Sequence, residues 1–200
     1  IGNSPLMRLV SNYASSIQLR RKTSQTTFEP PLSAVLGAQL IGSSPLIAVD
    51  VDSRALDRAT DLGATHTINT GSTDPVDRLR ELTDGGPDYA LACTGADTAH
   101  QQALAATRKG GTVVIVGGAD ETLGLDPRRD LVPGGKTIVD SIVGSLRPHT
   151  DIPRYAMLCA DGKLELDELI THQCGLSGIQ AAFDRMARGE GIRTVVKPGL

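Results

Sequence analysis

The residue with the clearest chemical signature is Asp50, which closes the apolar run Pro45-Leu46-Ile47-Ala48-Val49. A carboxylate delivered at the end of a buried strand can accept hydrogen bonds from both hydroxyls of a ribose, as in a dinucleotide-binding βαβ unit. Such a unit also needs a Gly-rich turn about 20 residues upstream, where bare backbone approaches a pyrophosphate. That window reads Thr26-Thr27-Phe28-Glu29-Pro30-Pro31 and holds no glycine. His66, His100, His149 and His172 show no ligand spacing, and Cys93, Cys159 and Cys174 form no CxxC pair. Each is therefore expected on the surface or in packing, with no metal-ligand set and no catalytic acid, base or nucleophile among them.

The chain that carries these groups has 200 residues, enough for one globular domain or one lobe of a larger enzyme. A net charge of -3 gives no basic surface for nucleic acid, and 2% aromatics leave little for stacking on bases. Glycine is plentiful at 22 residues, which suits the small-residue packing of α/β layers. Three cysteines without a framework fit a reducing cytoplasm. No apolar stretch approaches the roughly 20 residues of a membrane span, and the first residues do not read as a secretion signal.

Apolar runs alternate with helical patterns from Leu32 onward, which predicts a mainly parallel sheet covered on both faces. A helix is expected over 32–42, a strand over 45–50, a helix over 54–62 stopped by Gly63, and a short strand over 67–69. A helix over 76–82, a strand over 88–93, a helix over 98–108 and a β-branched strand over 112–116 follow, then a last strand over 136–143. Ligands in open α/β sheets bind at the carboxyl ends of strands, so the loops after Asp50, Cys93, Val116 and Ile142 should line one crevice.

The tail changes rhythm, with a helix near 152–159, a short segment at 166–170, a helix over 178–188 and a strand over 192–197. Ser177 is the expected N-cap of that helix, and Ile179, Ala182, Phe183 and Met186 its core-facing stripe. Residues 1–31 are polar and, apart from a four-residue strand pattern at Ile17–Arg20, aperiodic, so an irregular extension is the expectation there.

Several segments in this order carry a resemblance: Ser33-Ala34-Val35-Leu36-Gly37-Ala38, Ala48-Val49-Asp50-Val51-Asp52, Asp61-Leu62-Gly63-Ala64-Thr65 and Thr83-Asp84-Gly85-Gly86-Pro87-Asp88. Lys109-Gly110-Gly111-Thr112-Val113-Val114-Ile115-Val116-Gly117, Ile170-Thr171-His172 and Gly191-Ile192-Arg193-Thr194-Val195-Val196 continue it. Residues 32–200 resemble the C-terminal half of medium-chain, zinc-type alcohol dehydrogenases. The resemblance implies an α/β, Rossmann-type doubly wound, mainly parallel sheet over 32–145. It also implies a small α/β return segment of the catalytic domain over 146–200, with 1–31 atypical.

By the same resemblance Asp50 would accept the adenosine ribose hydroxyls and repel a 2′-phosphate, favouring NAD over NADP. Val51 and Thr94 would flank the adenine. Val116, Ser141 and Val143 would hold the nicotinamide carboxamide through backbone groups, with Gly117 and Gly118 leaving room for the ring. Arg193 would contact the pyrophosphate. The fingerprint glycines should fall where Thr26, Phe28 and Pro31 stand, and zinc ligands should precede them, yet residues 1–31 contain neither Cys nor His. The implied function is the NAD-binding half of an oxidoreductase that moves hydride between a primary alcohol or aldehyde and NAD. This half is expected to be truncated, inactive alone and weakened in, or without, NAD binding. The alternative is a non-catalytic interaction module that forms a homodimer through the edge strand 136–143, and neither reading involves nucleic acid or membrane.

Overall fold

A computed structural model describes residues 30–116, 124–132 and 134–199, with backbone only at Pro30 and Pro31. These residues form two compact units, 30–148 and 149–199.

The first unit opens with helix α1 (Pro30–Leu40), whose Leu32, Ala34, Val35, Leu36 and Ala38 are all buried. Apolar positions on so many sides mark a helix packed within the unit rather than one with a single stripe. Strand β1 (Ile47–Asp50) is buried at every position, as an uninterrupted apolar run in a parallel sheet should be. Helix α2 (Ser53–Asp61) starts where the Asp52 carboxylate accepts from Arg54 N–H at 2.9 Å, and it turns Leu56 and Ala59 inward. Strand β2 (His66–Asn69) runs parallel to β1 in the register Ile47↔His66 to Asp50↔Asn69.

Helix α3 (Pro75–Leu82) has Asp74 as N-cap, Pro75 in its first turn and Leu79 buried. Strand β3 (Tyr89–Ala92) leads into α4 (Asp97–Ala106), β4 (Thr112–Val116), a one-turn α5 (Pro127–Asp130) and β5 (Thr137–Ser141). Gly86, at φ +125°, makes the tight entry to β3 feasible, since a Cβ there would lie 2.2 Å from the Ala106 carbonyl oxygen. Helix α4 carries no basic residue in its own last turn. Arg80 on α3 donates to its Ala105 carbonyl at 2.8 Å, and Lys136 donates to its Leu104 carbonyl. Two cations from elsewhere thus answer the negative end of the helix dipole.

The expected parallel α/β fold is present, with every strand pair parallel. Among the described residues its ladder is interrupted: β1-β2 and β3-β4-β5 are separate sheets. In a doubly wound order 3-2-1-4-5-6 these are the places of strands 2 and 3 and of strands 4 to 6, and no described strand takes the place of strand 1. Helix α4 packs against both halves. Its Ala106 joins Ile47, Val49, Ile68 and Leu79 in one core cluster, while its Ala103 and Leu104 join Ala90, Ala92 and Val113 in another.

The second unit contains helix α6 (from Pro148, through His149–Ala160), β6 (Ile170–Cys174), α7 (Ile179–Ala187) and β7 (Arg193–Val196), with β6 and β7 paired. Two expectations fail here. Gly178, not Ser177, is the N-cap of α7, because Ser177 is taken into a 3-10 turn at Leu176–Gly178 and no side chain caps the helix. Phe183 is 57% exposed and Met186 is exposed too, so the stripe is not core within this unit, whose two-stranded sheet is too small to cover it.

Candidate functional site at the strand ends

Asp50 ends β1 with 3% of its surface exposed, and its Oδ1 accepts from Asp52 N–H at 2.8 Å. The residue after it, Val51, is exposed. Burial on one side and an open loop on the other place an oriented acceptor at the carboxyl end of a strand, where α/β ligands dock. Asn69, opposite Asp50 on β2, donates from Nδ2 to the Val51 carbonyl at 3.2 Å and to Ser53 Oγ at 3.1 Å. Its Oδ1 accepts from Gly71 N–H at 2.8 Å. The sequence reading missed Asn69, although Asn69-Thr70-Gly71 directly after a strand is the turn chemistry that could have marked it.

At the end of β3, Thr94 is half-buried and its Oγ1 accepts from Ala96 N–H at 3.2 Å, which shapes the loop into α4. Below that loop His100 is buried. Burial lowers its pKa, opposed by the nearby Asp97 charge and by a backbone hydrogen bond at Thr94.

The third group lies at the ends of β4 and β5, where Val116 and Ser141 are register partners. Ser141 is buried, and its hydroxyl has no hydrogen-bond partner among the described residues. Val143 departs from expectation: β5 stops at Ser141, and Val143 enters a turn in which Val143, Gly144 and Ser145 take φ of 50°, 64° and 51°. It is 79% exposed, two residues beyond the end of the strand. The exposed apolar pair Ile142-Val143 has the composition of a strand, and the left-handed turn overrides it.

Gly117 and Gly118 lie outside the described residues, as do Thr26 and Phe28. Arg193 stands exposed at the start of β7 in the second unit, where its carbonyl accepts from Thr171 Oγ1 at 3.2 Å. Among the described residues no three His, Cys, Asp or Glu side chains gather as a metal site. His66 and His149 are exposed and His172 half-buried, while Cys93 is buried and Cys159 and Cys174 are half-buried.

Comparison with known proteins places these features in company. A family profile described as zinc-binding dehydrogenase matches residues 32–161. The chain is 35% identical to the alcohol dehydrogenase class-P of Arabidopsis thaliana over 173 residues, covering 84% of this chain and 45% of that protein. It is 36% identical over 167 residues to a probable S-(hydroxymethyl)glutathione dehydrogenase 1 of Schizosaccharomyces pombe, covering 82% and 44%. Among solved structures, benzyl alcohol dehydrogenase from Acinetobacter calcoaceticus superposes with a TM-score of 0.82 at 30% identity, over 96% of this chain and 55% of that one. The chain spans about half the length of the curated relatives it matches.

Proposed function

The chain belongs to the zinc-binding dehydrogenase family, and from that premise we propose that it is the cofactor-binding portion of an NAD-dependent alcohol dehydrogenase. Residues 32–145 are the cofactor domain and 146–200 a return segment of the catalytic domain. The complete enzyme would move hydride between a primary alcohol or aldehyde and NAD, whose nicotinamide ring takes the hydride when bound.

The observation that carries this reading is the Asp50 carboxylate, buried at the end of β1 and oriented by Asp52 N–H. An anionic acceptor so placed suits a ribose diol and opposes a 2′-phosphate. The buried, unanswered Ser141 hydroxyl supports the other end, since a carboxamide beside Val116 would give it a partner. Thr94 and Val51 serve as walls for the adenine. The start of α1 does not suit a pyrophosphate, because it begins with Pro30 and Pro31, two residues without an N–H to offer an anion.

The described residues do not fit a catalytic zinc, which needs three protein ligands. We therefore expect the chain alone to be inactive, with NAD binding weak or lost while the adenosine subsite persists. Calorimetric titration with NAD should show no micromolar affinity, and alcohol oxidation by the purified chain should be absent. A micromolar dissociation constant or an ordinary turnover would overturn the proposal. All three cysteines are free, which suits a reducing compartment, and a cytoplasmic site of action is proposed as well.

The exposed Val139 on β5 and the exposed Ile142 and Val143 just after it favour a second reading, a homodimerising interaction module built on that edge strand.

A further inference from the structure

Asn69 has every polar atom of its side chain engaged, and the arrangement reaches Asp50 through one peptide group. The Val51 carbonyl and the Asp52 N–H belong to the same planar trans unit and so point in opposite directions. Asn69 Nδ2 holds the carbonyl end at 3.2 Å, and the N–H end donates to Asp50 Oδ1 at 2.8 Å. The same Nδ2 ties Ser53 Oγ, and Asn69 Oδ1 holds Gly71 N–H, so the loops after β1 and β2 are clasped together. Their closeness is visible at Gly71, where an added Cβ would lie 3.8 Å from Val51 Cγ2.

Val51 is exposed, so without the clasp water would compete for its carbonyl and the peptide would be free to rotate. The N–H that orients the carboxylate would turn with it. A fixed carbonyl also polarises its own N–H, which strengthens the bond to a charged acceptor.

We propose that Asn69 is a positioning residue: acting through the Val51–Asp52 peptide, it fixes the Asp50 carboxylate that selects a nucleoside with an intact 2′,3′-diol. This rests on the cofactor reading above. It has a signature that general damage to the site lacks, because it alters discrimination between diol and deoxy ligands rather than adenine affinity.

The test titrates AMP and 2′-deoxy-AMP by NMR chemical shifts into the whole chain and into its Asn69→Ala and Asn69→Asp variants, with circular dichroism to verify folding. A charge-assisted hydrogen bond should let the wild type prefer AMP by about tenfold. Asn69→Ala should bring that preference to roughly twofold or less while affinity for 2′-deoxy-AMP stays the same, as the shared adenine contacts do not change. Asn69→Asp keeps an acceptor for Gly71 N–H but sets a carboxylate against the Val51 carbonyl, so it should lose the preference as well. If the wild type binds neither nucleotide, or both equally, the cofactor reading falls and this inference with it. If the wild type discriminates and the folded variants do so equally, only the role of Asn69 is overturned. An equal loss of both ligands in the variants also overturns it, because that is the mark of a purely structural residue.

Discussion

His100 has 1% of its surface exposed, and that burial disfavours its charged form. Burial puts its folded pKa below the ordinary value of 6.5, with Asp97 pulling the other way. The unfolded chain then takes up a proton that the folded chain refuses. Stability is therefore full above about pH 6.5 and falls as pH drops below it. Chemical denaturation followed from pH 7.5 to 5 should show this loss, and His100→Leu should flatten the slope; an unchanged slope would remove His100 as the cause. Asp50 was legible in the sequence because a strand-ending acid is a local pattern. Asn69 was not, because its importance comes from the pairing Asp50↔Asn69, which joins residues on two strands.

At the scale of elements, the strands and helices of the first unit follow their sequence patterns because each apolar run finds a neighbour to bury it. Where the neighbour is missing the pattern misleads, as with Phe183 and Met186 on α7 and with the extension of β5 to Val143. Val143 is β-branched, exposed and left-handed at φ 50°, a combination that costs about 1–2 kcal/mol in backbone strain. Val143→Gly should recover part of this, a net gain of roughly 0.5–1 kcal/mol after the extra entropy of glycine. The measurement is the urea midpoint at constant m-value, and a fall in that midpoint would show that the valine contributes packing the turn needs.

At the scale of the whole molecule, β5 ends its sheet with one edge unpaired among the described residues and apolar side chains exposed beside it. Unprotected edges seek strands, and a second copy offers a matching one. Sedimentation equilibrium of the chain should report a dimer at micromolar concentration, and a strict monomer would count against the interaction-module reading. The class of fold was readable from the alternation of strands and helices, whereas the interrupted ladder was foreshadowed only by the glycine-free window at 26–31.

The bridging of two half-sheets by α4 has a mechanical consequence. Among the described residues, no continuous row of hydrogen bonds carries load from β2 across to β5. Load instead passes through the methyl-lined flank of one ten-residue rod, with Ala106 bearing on one plate and Ala103 and Leu104 on the other. Helix α4 works as a splint, with Arg80 and Lys136 gripping its carboxyl end from the two sides.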